Sequence, residues 1–255
     1  MRRNQTLIVL AAIASVLVLI VVFLTMDLPT WQRIWTGLER SIPPLLRGFS
    51  RPAFELFPLA FNSMLETFFM AVLGTLLGGV LAFLLSFLAA GNLLGGTSRA
   101  MPGKALLVAI RTFPEIVLAI IFVAALGPGP TAGIMAMGIH SIGFLGKIFS
   151  DVIEGIDPGP LEAVRATGGD AVHVFLYGVV PQVLPEFAST LLYRFEINLR
   201  AATILGLVGA GGIGGPLLQR LSFRRWDEIS MMLIVIIAFI VVVDAVSSRI
   251  RRSLV

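Results

Sequence analysis

A chain of 255 residues that is 57% hydrophobic and only 13% charged lacks the balance of a soluble domain, which runs nearer half apolar and a quarter charged. The absence of cysteine excludes disulfides, thiolate nucleophiles and cysteine-ligated zinc together. A net charge of +4 is modest, and basic residues flanking apolar runs are the anchors of membrane helices, not a nucleic-acid surface.

The apolar runs are rich in Leu, Val, Ile, Ala and Phe and show no period-two alternation. They read as helices, not barrel strands, which gives an all-α polytopic membrane protein of about six spans. Met1-Arg2-Arg3 precedes an uncharged run, Gln5 to Met26, and residues 1–26 read as the first span. At about 1.5 Å per residue that run crosses a hydrocarbon core of roughly 30 Å. It exceeds the apolar core of a signal peptide, and its basic end belongs in the cytoplasm.

Residues 27–58 turn mixed. Trp31 and Trp35 share a helical face and suit a membrane–water interface, and Ile34, Leu38 and Ile42 extend the stripe. Pro43-Pro44 is expected to interrupt any helix there. The segment reads as an extracytoplasmic amphipathic piece lying on the bilayer.

The helical core follows over 59–255. Ser63-x-x-Glu66 fits a capping box opening a second span that runs to Ala90. Gly74-x-x-x-Gly78 and Gly79 lie within it, a spacing that lets helices approach closely. Gly91 to Lys104 is a short polar loop. The third span, Ala105 to Leu126, holds Arg111 and Glu115, whose spacing predicts an ion pair on one face, and Pro114, which predicts a kink. After the turn Gly127–Pro130 a fourth span with His140 runs to about Phe149.

A polar stretch, 150–178, then separates two apolar runs. Within it Glu162, Ala163, Ala166 and Gly168 fit a short helix with a glycine stop. His173 reads as solvated. The fifth span, Val180 to Val208, carries Glu186, Arg194, Glu196 and Arg200, with Glu196 and Arg200 spaced to pair. A glycine-rich run ends it. The sixth span covers Ile229 to Val243, and Arg249, Arg251 and Arg252 close the chain. Six crossings leave both termini in the cytoplasm and put Arg220, Arg224 and Arg225 outside, against the positive-inside tendency.

Gly209-x-Gly211-x-x-Gly214 matches a dinucleotide fingerprint in letters but lacks the βαβ context, and Asp227 is badly spaced for a ribose. Gly209, Gly211, Gly212 and Gly214 fit a hinge or gate in a broken membrane helix instead. No phosphate-binding loop exists: near Gly146-Lys147, Ser141 occupies the first glycine position and Ile148 follows the lysine. His140 and His173 are the only histidines, too few for a His-rich metal site. The intramembrane charges mark a pathway or form structural pairs.

Several segments resemble a known family. Glu162-Ala163, Gly168 and Pro181 follow the cytoplasmic coupling loop of ABC-importer permeases, with Val164, Gly178 and Val180 departing from it. Arg111-Thr-Phe-Pro-Glu115, the stretch Gly138 to Lys147, Tyr193-Arg194-Phe-Glu196 and the run Leu205 to Gly214 resemble the phosphonate-importer branch. Methionine-type permeases are similar around the glycine run. The resemblance implies the type I importer permease fold and a bacterial inner-membrane location. It implies a second permease copy, identical or a close paralogue, and a substrate-binding protein outside. Separate ATPase subunits hold ATP and Mg, so this chain is no enzyme and carries no cofactor or metal itself. On this reading Glu162, Ala163, Ala166 and Gly168 couple to the ATPase. Arg111, His140, Arg194 and Arg200 line the substrate path, with Glu115 and Glu196 holding the arginines. Arg220, Arg224 and Arg225 meet the binding protein. The expected cargo is phosphonate or a related oxyanion, phosphite or phosphate, which guanidinium suits by bidentate geometry. The alternatives are an amino acid such as methionine or a polytopic membrane enzyme. A lipid phosphatase or protease needs a nucleophile, metal or acid–base pair at depth, where His140 has no second histidine beside it. A secondary transporter predicts a repeat between halves, and none is visible.

Overall fold

In the computed structural model, which describes residues 13–18, 20–22, 24–25 and 31–253, every described regular element is a helix. The chain divides into two units, the residues up to Arg47 and those from Gly48 onward. The expected first span, Gln5–Met26, lies largely outside the described residues. Helix α1, Trp31–Ser50, presents Trp31, Trp35, Leu38 and Ile42 as exposed apolar side chains. It passes through Pro43 and Pro44, where a break was expected. Proline's fixed φ is itself helical, so the pair removes two N–H donors without ending the helix.

In the second unit a 3-10 turn at Phe54–Leu56 leads into α2, Phe57–Ala89. Because α2 starts at Phe57, Ser63 and Glu66 lie inside the helix and form no capping box. Helices α3 (Thr97–Thr112) and α4 (Glu115–Leu126) are joined at a 78° bend. Phe113 and Pro114 are both extended there, so the expected kink is a complete break. Helix α5 covers Pro130–Glu154 and the short α6 covers Pro158–Ala166. A π-helical turn at Val174–Val179 opens α7, Val180–Leu205. After the glycine run come α8, Gly214–Ser222, and α9, Trp226–Arg251. Among the described residues four helices are long and apolar enough to cross a membrane, or five if the bent pair α3–α4 counts as one span.

The polar stretch predicted over 150–178 is shorter in the fold, because both flanking helices extend into it. The last turn of α5 is held by Glu154, which accepts from the Gly91 N–H at 2.7 Å and pairs with Lys104 at 2.7 Å. Asn92 donates to the Ile153 carbonyl at 2.6 Å. On the other side Asp170 caps the resumed helix, accepting from the N–H groups of Val172 and His173 at 3.0 Å each. The His173 backbone N–H and then its ring hold the Asp170 carboxyl below its ordinary value.

Helix α5 is the most enclosed of the spans and packs against α2, α3, α4 and α7. Lipid is as apolar as leucine, so helices in a bilayer gain little from hiding apolar surface. They associate through close van der Waals contact between small side chains. The crossing of α2 and α5 shows this. A Cβ placed on Gly78 sits 2.5 Å from the Ser141 Cβ and 2.7 Å from the Gly138 carbonyl, and one on Gly74 sits 2.9 Å from the Met137 Cβ. The contacts step in the same direction along both helices, so α2 and α5 run parallel. Aromatic contacts join further helices: Phe149 lies on Phe187 at 4.0 Å, and Phe68 meets Phe195 and Phe239 edge-on at 5.6 Å.

The neighbours of two adjacent glycines set up a direct comparison. A Cβ on Gly78 meets a carbonyl and a Cβ at under 3 Å, whereas the one close contact of a Cβ on Gly79 is the Leu191 Cδ1, at 2.5 Å, at the movable end of a side chain. Gly78→Ala is expected to destabilise the permease by about 1–3 kcal/mol, the usual cost of overpacking. Gly79→Ala is expected to cost less, and thermal unfolding of both variants in one detergent checks the order.

Candidate translocation site and coupling loop

Arg194 of α7 is only 3% exposed, and its surroundings are built to hold it. Its Nε donates to Ser141 Oγ at 3.0 Å and its Nη2 lies 2.7 Å from His140 Nδ1. A guanidinium only donates, so Nδ1 is the acceptor in this contact. Glu115 Oε2 stands 3.5 Å from Arg194 Nη2 and 3.4 Å from the same imidazole nitrogen. Phe144 packs over the guanidinium at 5.0 Å. One turn along α7, Asn198 donates to Ser141 Oγ at 3.0 Å and to Thr75 Oγ1 at 2.8 Å. A chain of polar groups thus runs from the start of α4 through α5 and α7 to α2. Glu115 Oε1 and Asn198 Oδ1 are buried without a partner among the described residues.

Glu115, His140 and Arg194, all expected on the path, are therefore brought together. The expected pair Arg111–Glu115 does not form. Its spacing requires a continuous helix, and the break at Phe113–Pro114 turns Glu115 away to Arg194. Arg111 ends α3 exposed, with no carboxylate at ion-pair distance among the described residues. Gly143 lets α5 approach it, since a Cβ there lies 2.6 Å from the Arg111 backbone nitrogen. Glu196 and Arg200 also choose other partners, both from α9. Glu196 pairs with Arg251 at 3.0 Å and Arg200 with Asp244. A helix alongside offers a charge at each level, which competes with the i, i+4 partner.

The glycine run makes a tight turn between α7 and α8. Gly209, Gly211 and Gly212 have φ of +89°, +85° and +73°, a region closed to most side chains. Helix α2 clamps the turn: Glu66 Oε1 accepts from the Gly212 N–H and Thr67 Oγ1 from the Ile213 N–H, both at 2.9 Å. The Gly129 N–H, before α5, donates to the Gly209 carbonyl at 2.9 Å. Beyond the turn Arg220 pairs with Glu228 at 3.0 Å and Arg225 with the same carboxylate at 2.9 Å. Arg224, at φ +53°, is exposed with no carboxylate at ion-pair distance among the described residues.

Helix α6 carries the loop residues. Asp157 caps it by accepting from the Gly159 N–H at 2.9 Å. Leu161 and Val164 are partly buried, while Glu162, Ala163, Arg165 and Ala166 are exposed. Gly168, at φ +83°, stops it, and a Cβ there meets nothing within 4 Å.

The family model described as "Binding-protein-dependent transport system inner membrane component" matches residues 82–255. The chain belongs to this family. It is 39% identical over 212 residues to the phosphite transport system permease protein of Stutzerimonas stutzeri, covering 83% of this chain and 77% of that one. It is 38% identical over 227 residues to the phosphate-import permease protein of Mycolicibacterium smegmatis, covering 89% of this chain and 41% of that longer protein. The probable D-methionine transport system permease protein of Vibrio cholerae is 24% identical over 150 residues, 59% of this chain and 63% of that one. Among solved structures an amino acid ABC transporter with histidines matches with a TM-score of 0.65 at 18% identity, over 78% of this chain and 96% of that one. The methionine ABC transporter in an inward-facing conformation matches with a TM-score of 0.62 at 19% identity, over 85% and 99%. The fold is that of the ABC-importer permeases, and this permease subunit transports; it is not an enzyme.

Sequence reading missed Thr75, Ser141 and Asn198 as partners of the buried arginine, and Glu66, Asp244 and Arg251 as partners of the turn and of α7. Asn198 was within reach, because it lies one helical turn from Arg194 on the same face.

In the permease, removing one member of the buried pair leaves the other charge uncompensated. Arg194→Met is expected to cost about 3–5 kcal/mol. The double change Arg194→Met with Glu115→Leu is expected to cost distinctly less. Unfolding midpoints of the two variants in detergent test this coupling.

Proposed function

We propose that this permease imports a phosphorus oxyanion (phosphonate, phosphite or phosphate) with energy from ATP and magnesium held on partner ATPase subunits. The observation that carries the reading is Arg111. It has no carboxylate at ion-pair distance among the described residues, and it ends α3 at the helix break that precedes the N-terminal end of α4. Arginine and a half-helix N-terminus are the two devices that attract an anion inside a membrane protein. Arg194 and Glu115 cancel, and Asp244 balances Arg200. Net positive potential on the path therefore falls to Arg111. Relatives named for phosphite and phosphate transport are 38–39% identical, against 24% for the methionine relative, which favours the oxyanion.

On this reading two permease copies sit between ATPase subunits inside and a substrate-binding protein outside, with both termini in the cytoplasm. The exposed face of α6, with Glu162, Ala163 and Ala166, docks on the ATPase, and Gly168 ends that helix cleanly. The glycine turn, Gly209 to Gly214, acts as the gate. Arg224 meets the binding protein, while Arg220 and Arg225 hold its loop through Glu228.

With the complex reconstituted in vesicles, uptake of labelled phosphite or a phosphonate is expected to saturate and to be untouched by excess methionine; inhibition by methionine removes the oxyanion assignment. Arg111→Gln is expected to lower the uptake rate at least about tenfold. The binding protein's own affinity stays unchanged in that experiment. Ala163→Trp projects from an exposed face of α6 and should leave the permease folded while abolishing copurification with the ATPase and uptake.

A further inference from the structure

A force applied to α6 has to reach the spans through some contact, and the structure offers one short route. The side-chain amide of Gln182, in the first turn of α7, is paired both ways with the main chain of Asp157 at the start of α6. The Asp157 N–H donates to Gln182 Oε1 at 3.0 Å, and Gln182 Nε2 donates to the Asp157 carbonyl at 3.2 Å. The second N–H of the same amide goes to the Gly178 carbonyl at 2.7 Å. Both donors and the acceptor are in use, and the main-chain partners fix which end of the amide faces which way.

Regular α-helix is interrupted at this point. Pro181 has no N–H to give the helix, and the turn before it is wound as a π-helix over Val174–Val179. Gly178 sits in that widened turn, and its missing side chain lets Leu161 of α6 come close: a Cβ on Gly178 lies 3.3 Å from the Leu161 Cα. Leu161 in turn packs against the cluster that holds Val179 and Val183. The amide thus ties three points, the cap of α6, the π-turn and α7, into one body. Residue 182 needs two donors and one acceptor at glutamine's reach. Glutamate cannot donate, asparagine is a methylene too short, and methionine keeps the length with neither function.

We infer that Gln182 is the positioning residue through which movement of α6 is transmitted to α7. It touches neither substrate nor ATPase. The inference rests on α6 being the ATPase-docking helix. Since α7 also carries Arg194, Asn198 and Arg200, a displacement of α6 that keeps the clasp closed turns or shifts the polar chain. With the clasp open, the π-turn absorbs the displacement.

The test measures substrate taken up per ATP hydrolysed in vesicles holding the permease, ATPase and binding protein. Gln182→Met is expected to keep copurification with the ATPase while uptake per ATP falls at least about tenfold, the scale of one lost hydrogen-bonded contact. Gln182→Glu, which still accepts from the Asp157 N–H, is expected to fall between Gln182→Met and the native protein. An unchanged ratio in Gln182→Met overturns the inference, as does a loss of uptake and hydrolysis in equal proportion, which marks a merely structural residue. Ala163→Trp run alongside separates the two levels. If it abolishes uptake while Gln182→Met keeps the ratio, the clasp alone fails; if it leaves uptake intact, the docking role of α6 fails and the clasp falls with it.

Discussion

A guanidinium with almost no access to solvent, in a chain surrounded by hydrocarbon, sets the terms for the centre of this permease. Arg194 needs a counter-charge, acceptors for its N–H groups and a flat apolar cover. Glu115, Ser141, His140 and Phe144 supply them from α4 and α5. Meeting that need draws on the break at Phe113–Pro114, which places Glu115 at the start of α4. It also fixes which face of α5 looks at α7. The glycines along α2 and α5 then bring the backbones near enough for Thr75 and Asn198 to extend the same network. Polar satisfaction and close packing are one requirement here, because a wider crossing leaves the arginine short of partners.

One helix links the loop to the site. Helix α7 starts at the π-turn beside α6, passes Arg194 and Asn198 at mid-length, and ends at the glycine turn held by Glu66 and Thr67. One long helix thus departs from regular α-geometry at each end, at a π-turn tied to α6 by Gln182 and at a glycine turn held by α2.

Much of this was legible in the sequence, and the failed pairings have a common cause. The spans, the small-residue crossing, the glycine-stopped helix of the loop and the broken backbone at Gly209–Gly212 follow from composition and spacing, which are local properties. The pairings Arg111–Glu115 and Glu196–Arg200, which i, i+4 spacing predicts, do not form. That rule describes an isolated helix, and in a bundle the neighbouring helix offers Asp244 and Arg251 at close range. The capping box at Ser63 does not form because the helix already begins at Phe57. Glu66 is claimed by the backbone of a turn that is remote in sequence, which no local pattern announces. Pro43-Pro44 was read as a stop where the helix continues.

The partners of Arg194 also constrain how the protein is made. Helix α5 leaves the ribosome before α7 and already carries His140, Ser141 and Phe144. A lone arginine entering lipid at mid-span costs about 2.5–3.5 kcal/mol. Entering against α5, it meets its acceptors on arrival. Helix α5 precedes α7 in the chain, so these partners are synthesised before the arginine that needs them. The order of synthesis is part of what makes a buried charge tolerable in this chain.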